Sequence, residues 1–348
     1  VKLAVLGVGR IGLMHARFAA QCPQVEEVVL YDVDPARAGA AASELSATAG
    51  GPARVTGSSD LGAVLGWADG ALVATPTPVH EESVLAALGA GVPVLCEKPL
   101  ATDRATVVRL ADAAGRAGVP LVVGFQRRFD PEVRALRDGV AAGRFGTVYL
   151  LRAVAADHRP PPVEFLAGSG GIFLDLLVHD LDALPWVLGE RAVRVSATGS
   201  VLVDERIGHL GDVDTAAVVL TFASGALGVL TTGRSNGSGY DNRIELSGEL
   251  ECAASGLGPR TPLTALADPD LLPGPAWDGF AQRWETAYRR EVATFADVVA
   301  GRTDNPSPAL DGLHALELAE ACATSLREGR PVDVEQTPVP SPAPLTTA

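Results

Sequence analysis

The sequence predicts a doubly wound α/β domain followed by an α+β domain with an open, mostly antiparallel sheet. Three observations carry that prediction. At 348 residues the chain is long for one compact core, and its length favours two domains. Over the first 125 residues short apolar runs alternate with amphipathic helical stretches, the rhythm of a parallel sheet wrapped by helices. Beyond Gln126 strand-like runs follow one another across short turns such as Ala223-Ser224-Gly225, the connection that joins antiparallel neighbours.

In the first domain, residues 1–125, strands are expected at 2–6, 27–31, 53–56, 70–74, 93–96 and 120–124, with helices at 11–21, 35–45, 79–89 and 104–118 between them. The second domain, 126–336, opens with a helix at 131–142 and a strand at 147–155, then the loop Asp157-His158-Arg159-Pro160-Pro161-Pro162. A long helix at 171–188 precedes strands at 192–203, 213–222, 226–234 and 243–251. Helices at 280–300 and 307–328 close the domain, the second started by Ser307 as cap and Pro308 in the first turn. The tail, 337–348, holds four prolines and few core-forming side chains, and is expected to be extended or mobile.

Composition narrows the function. Hydrophobic residues at 47% with charged residues at 20% mark a globular chain rather than a disordered one. A formal charge of −14 supplies no general attraction for phosphate backbones or anionic lipid, so no nucleic-acid partner is expected. No uninterrupted apolar stretch reaches the roughly 18 residues of a membrane span. The opening Val1-Lys2-Leu3-Ala4-Val5-Leu6-Gly7 reads as a strand and not as a leader, which makes the cytoplasm the expected compartment. Cys22, Cys96, Cys252 and Cys322 form no CxxC pair and suggest neither a disulfide framework nor a structural zinc site.

Gly7-Val8-Gly9-Arg10-Ile11-Gly12 fits G-x-G-x-x-G and lies between the first expected strand and the first helix. Glycines there permit the tight turn, the approach of backbone to a pyrophosphate and close helix–strand contact, while the helix N-terminus attracts the anion. Asp32 ends the second strand 20 residues after Gly12, where a carboxylate reaches a ribose diol. The first domain is therefore read as a Rossmann dinucleotide-binding domain. A carboxylate at that position repels the 2′-phosphate of NADP, so NAD is favoured, with Arg37 close enough to soften the preference. Thr75-Pro76-Thr77-Pro78-Val79-His80 follows the fourth strand at the carboxyl edge of the sheet, where Thr75 or His80 could meet a nicotinamide ribose or simply stiffen the loop.

Of the 28 basic side chains 26 are arginine; the two lysines are Lys2 and Lys98. An ammonium can exchange a proton where a guanidinium cannot, which makes Lys98, between Glu97 and Pro99 just past the fifth strand, a candidate acid–base group. Partial enclosure there would poise it nearer neutral pH. A second cluster runs from Gly170 to Asp182. On one continuous helix Asp175, His179 and Asp182 share a face at i, i+4 and i+7. Such a stripe is either catalytic, or a satisfied buried pair that braces the fold, or, with His158, part of a metal site.

These features together resemble the Gfo/Idh/MocA oxidoreductases: the glycine fingerprint, Thr75-Pro76 with His80, Glu97-Lys98-Pro99, Gly124-Phe125-Gln126-Arg127-Arg128-Phe129-Asp130, and the helix carrying Asp175 and His179-Asp180. The likeness extends to about residue 334. Gly239-Tyr240-Asp241 and the segment 283–288 make it most similar to the myo-inositol 2-dehydrogenase members. The resemblance implies NAD-dependent oxidation of a secondary hydroxyl of a cyclitol or sugar, with Lys98, Asp175 and His179 as the catalytic group. His179 would take the hydroxyl proton, Asp175 would orient the imidazole, and Lys98 would hydrogen-bond the same oxygen while hydride passes to nicotinamide C4. It further implies cofactor contacts at Gly7, Gly9, Arg10, Ile11, Gly12, Asp32, Thr75, Pro76, His80, Glu97 and Lys98. Arg128, Asp157, His158 and Tyr240 would complete a polyol pocket, although the loop 157–162 departs from the family in detail.

Two other activities stand beside this one: a pyranose or amino-cyclitol dehydrogenase or ketone reductase of the same kind, and a non-catalytic dinucleotide-binding regulator. Val218, Leu220, Leu227, Val229 and Ile244 are expected to form a sticky sheet face in the second domain, and a homodimer or homotetramer would cover it.

Overall fold

A computed structural model of the chain describes residues 1–268, 270 and 274–338. They divide into two compact units. The first begins with β1 (Lys2–Leu6), α1 (Arg10–Gln21), β2 (Glu27–Tyr31), α2 (Pro35–Thr48), β3 (Arg54–Ser58), α3 (Leu61–Trp67) and β4 (Gly70–Val73). It continues through α4 (His80–Gly89), β5 (Val94–Glu97), α5 (Arg104–Ala117) and β6 (Leu121–Gly124). All six strands are parallel, in the order β3-β2-β1-β4-β5-β6. The order reverses between β1 and β4, and the crevice beyond their carboxyl ends is where such sheets bind ligands. β4 and β6 bury every residue, because helices cover both faces, and accordingly both read as unbroken apolar runs. Asp34, Asp60 and Asp103 cap α2, α3 and α5 by accepting from backbone amides. The seven-residue α3 escapes the sequence reading because it is too short to show a helical period.

The second unit holds α6 (Pro131–Ala141), β7 (Val148–Ala156), α7 (Val163–Leu166), α8 (Gly171–Asp175), α9 (Val178–Leu188), β8 (Ala192–Ser200), α10 (Glu205–His209), β9 (Thr215–Phe222) and β10 (Leu227–Gly233). Along the chain then come β11 (Asp241–Gly248), β12 (Cys252–Ser255), α11 (Phe280–Arg283), α12 (Glu285–Val299), most of which groups with the first unit, α13 (Ala309–Glu328) and β13 (Val332–Asp333). Its sheet runs β12-β11-β7-β10-β9-β8-β13. β7 and β10 are parallel and the remaining neighbours antiparallel, so the mostly antiparallel sheet is as expected. α9 lies on the inner face: a Cβ on Gly228 of β10 would sit 3.3 Å from Leu184 of α9.

Four expectations need correction. The single helix expected over 171–188 is two, α8 and α9. The amides of Leu176 and Leu177 both donate to the Ile172 carbonyl, at 3.1 and 2.9 Å, and this widened turn shifts the helical phase. Asp175 and His179 therefore do not share a continuous helical face. The helix expected over 280–300 likewise divides at Trp284 into α11 and α12.

The second domain is not the continuous block 126–336. Residues 288–313 and 336–338 group with residues 1–125, while the second unit takes 126–287 and 314–335. The edge of β6 supplies the reason: the Val123 amide donates to the Ser307 carbonyl at 2.8 Å, and Asn305 Nδ2 donates to the Leu121 carbonyl at 2.9 Å. Val299 and Phe295 of α12 pack on Gly70, whose missing Cβ leaves them room. Of the tail expected to be extended or mobile, residues 339–348 lie outside the described residues.

Finally, the five apolar residues assigned to one exposed sheet face lie on two. Val218, Leu220 and Ile244 are buried, whereas Leu227 is 40% exposed and pairs across the sheet beside Val229 and the 38% exposed Val219. Strand side chains alternate with period two, so positions of opposite parity in paired strands cannot share a face.

Candidate active site

At the switch point each fingerprint glycine answers a different constraint. Gly7 has φ +96°, and a Cβ there would lie 2.9 Å from the Ala74 carbonyl oxygen. A Cβ on Gly12 would approach the Gly7 carbonyl oxygen to 1.9 Å, so α1 could not pack as closely. Gly9 faces open space, where a side chain would meet no protein atom within 4 Å and would instead fill the approach to the backbone. No side chain caps α1, which leaves its first amides for an anion. Arg10 is exposed and Ile11 half-buried at the start of that helix. Asp32 directly follows β2, its carboxylate accepting from the amides of Val8 (3.4 Å) and Asp34 (3.1 Å), and Arg37 Nη2 lies 3.7 Å away. The residues present fit a dinucleotide: an open glycine edge, uncapped amides and a fixed carboxylate one strand over.

On the neighbouring loops the buried Thr75 hydroxyl has no hydrogen-bond partner among the described residues. His80 does not stand free as a cofactor contact. Its Nε2 lies 2.9 Å from the Thr75 carbonyl and its Nδ1 3.0 Å from the Pro99 carbonyl, so the ring ties the loop after β4 to the loop after β5. Burial pushes its pKa down, and the neutral ring donates to one carbonyl at a time.

Lys98 is half-buried directly after β5, and the Lys98–Pro99 peptide is cis. Glu97, also expected at the cofactor, is turned to protein: Oε1 lies 2.6 Å from His15 Nε2, and Oε2 accepts from the Lys98 amide at 3.3 Å.

In the second unit, Asp175 and His179 are half-buried on either side of the widened turn. Arg234, wholly buried just past β10, donates from Nη1 to Asp175 and from Nη2 to Asp212, both at 3.0 Å. Asp212 in turn accepts from the Ile172 amide at 3.0 Å, fixing α8 at its other end. Asp182, the third member of the expected stripe, is buried and forked onto Arg128, whose Nε donates at 2.8 Å. Asp180 pairs with the buried Arg127, which also lies over the Trp284 ring.

The expected pocket residues divide as well. Asp157 and His158 are half-buried on the loop after β7. Tyr240 is interior: its hydroxyl accepts from Trp284 Nε1 at 3.2 Å, and burial pushes its pKa up to about 12. Arg128 and Tyr240 are thus each held by protein groups. Among the described residues the His/Cys/Asp/Glu group close enough to hold a metal ion is His15, Glu97 and Glu291; it includes none of His158, Asp175 and His179. The sequence reading missed Arg234, His15 and Glu291. Arg234 carries a weak signal, a charged residue ending an apolar strand, whereas His15 and Glu291 are single polar residues on amphipathic helices and carry none.

A glycine cradle at the switch point, with a carboxylate set for a ribose, is the apparatus of a nicotinamide-nucleotide oxidoreductase. Comparison with known proteins agrees. Residues 1–125 match the oxidoreductase family NAD-binding Rossmann fold, 133–252 the GFO/IDH/MocA C-terminal domain and 269–334 the oxidoreductase family C-terminal alpha/beta domain. The chain belongs to the Gfo/Idh/MocA oxidoreductase family. It is 39% identical to the myo-inositol dehydrogenase Hyg17 of Streptomyces leeuwenhoekii over 332 residues, covering 93% of this chain and 98% of that protein. The crystal structure of a myo-inositol dehydrogenase from Corynebacterium glutamicum superposes with a TM-score of 0.84 at 31% identity, covering 97% of this chain and 99% of the other. A myo-inositol dehydrogenase from Lactobacillus casei, in complex with NAD(H) and myo-inositol, superposes with a TM-score of 0.81 at 25% identity over 98% and 99% of the two chains.

Proposed function

We propose that the protein oxidises a secondary hydroxyl of a cyclitol, with myo-inositol as the first candidate, using NAD. The observation that carries this reading is the coexistence, in one chain of this family, of Lys98 after β5 and an Asp175–His179 segment pinned by Arg234. Bound NAD supplies the hydride acceptor at its nicotinamide C4. The chain's own work is with the proton and with alignment. His179 accepts the proton of the reacting hydroxyl, Lys98 hydrogen-bonds the same oxygen, and the carbon surrenders its hydrogen as hydride, leaving a ketone. Arg234 positions Asp175, which orients the imidazole of His179. Asp157 and His158 supply hydrogen bonds to the remaining hydroxyls, each of which would cost ~1–3 kcal/mol if left unpaired. Arg128 and Tyr240 shape the pocket from behind.

The carboxylate of Asp32 favours NAD over NADP. No described helix is long and apolar enough to cross a membrane, in keeping with a cytoplasmic enzyme. A homodimer or homotetramer through the outer face of the second-unit sheet completes the proposal.

The test is a panel of polyols assayed for NAD reduction. Turnover of myo-inositol is expected. Turnover of glucose with none of myo-inositol would replace the cyclitol by a pyranose.

A further inference from the structure

His15 of α1, Glu97 of β5 and Glu291 of α12 meet in the interior of the first unit. Each places a nitrogen or oxygen within 4.8 Å of the other two. His15 and Glu291 are fully buried, and the Glu97 side chain is 12% exposed. His15 and Glu97 are in hydrogen-bond contact at 2.6 Å, whereas both carboxyl oxygens of Glu291 are buried with no partner among the described residues. A native protein does not leave two carboxylates so close in its interior unless something neutralises one of them.

A metal ion fits poorly. Donors held ~2.0–2.2 Å from a tetrahedral zinc stand about 3.3 Å or more apart, and the His15–Glu97 contact is a hydrogen-bond distance, well inside that. A proton fits. Burial first, and then the Glu97 carboxylate beside it, push the Glu291 carboxyl well above the ordinary range. Neither of the buried titratable groups beside Glu97 supplies a counter-charge. Cys96 on β5 is a thiol kept protonated by burial, and His80 on α4 is neutral and bound to carbonyls. Tyr288 on α12 presents its ring edge-on to His15 at 5.6 Å, and Arg289 donates to Gln21 and lies over Phe18. Groups within 4.8 Å of one another but beyond direct hydrogen-bond reach are close enough for one bridging water to join them with two ordinary hydrogen bonds.

We propose that Glu291 is a positioning residue for Lys98: a neutral carboxylic acid that, with His15, fixes the Glu97 side chain and so the backbone that presents Lys98 at the end of β5. The consequence for turnover rests on the dehydrogenase reading above, whereas the protonation and its structural role do not.

Three variants test it in the full-length protein. Glu291→Ala is expected to lower kcat about 10- to 100-fold, the penalty of misplacing a reacting group by about 1 Å, with little change in NAD affinity. Glu291→Gln, which mimics the neutral acid, recovers most of that loss, and Glu291→Met, which fills the space without a hydrogen bond, does not. Wild-type kcat declines at alkaline pH as Glu291 ionises, and the decline attributable to this group is missing from the Gln variant. Recovery by Met as full as by Gln would reduce Glu291 to packing, and superimposable pH profiles of wild type and Glu291→Gln would overturn the proposal.

Infrared difference spectra, wild type minus Glu291→Gln, read protonation without any substrate. A carboxylic-acid carbonyl band at neutral pH is expected, and a carboxylate band alone refutes the neutral acid. If the Gln variant does not fold, the same band is sought in an alkaline titration of the wild type, where its absence counts equally against it. Stoichiometric zinc bound to purified protein and lost in Glu291→Gln would also refute it. Absence of turnover with every polyol, alongside a protonated Glu291, would defeat the dehydrogenase reading and leave the cluster standing.

Discussion

Lys98 is the residue whose chemistry a single substitution tests most sharply. Lys98→Arg keeps a positive charge but not its size or its ability to titrate, so fold and NAD affinity should persist while most turnover is lost. Near-normal kcat in that variant would show that only charge is needed. His179→Ala is expected to lower kcat by ~10²–10⁴, the usual contribution of a general base, measured by steady-state NAD reduction. Arg234 invites a different expectation. It is wholly buried between Asp175 and Asp212, so Arg234→Met would leave two acidic side chains without their shared cation. Turnover should fall along with stability, and thermal melting with and without NAD would register both. Lys98 was legible in the sequence because arginine replaces lysine almost everywhere else; Arg234 was hidden among 26 arginines.

The elements around these residues are held by buried charge. Arg127 with Asp180, and Arg128 with Asp182, join the turn after β6 to α9 within the second unit. Asp180→Ala would strand a buried guanidinium and should cost about 3–5 kcal/mol in urea unfolding, far more than an exposed pair would. In the first unit α12 carries Glu291. Its carboxyl, pushed up in the fold, keeps a proton that the unfolded chain has already released above its ordinary pKa. Stability therefore falls as pH rises from that value toward the folded one. Glu291→Gln should remove this dependence, so its Tm should exceed that of the wild type by a margin that widens from pH 5 to pH 8. An equal pH trend in both proteins would assign the slope elsewhere. The widened turn between α8 and α9 was not legible, because apolar spacing over 171–188 suits one helix and the extra residue is absorbed by a single shared carbonyl.

At the scale of the whole molecule, the exposed side of the second-unit sheet is the face through which we propose that a second copy docks. Val219, Leu227 and Val229 lie there, and Arg152 pairs with Glu245 across neighbouring strands. Leu227→Asp combined with Val219→Asp should dissociate an assembly formed through this face, as light scattering on a sizing column would report; an unchanged mass would place the interface elsewhere. The alternating sheet-and-helix rhythm, the glycine fingerprint with Asp32 and the antiparallel second half were all readable in the linear chain. They arise from local sterics and from short-range periodicity, which neighbouring residues suffice to set. The return of residues 288–313 to the first unit, the turning of His80 and Glu97 toward protein groups, and the gathering of His15, Glu97 and Glu291 were not. Each depends on residues far apart in sequence finding one another's unmet backbone or buried charge, and that pairing exists only once the chain has folded.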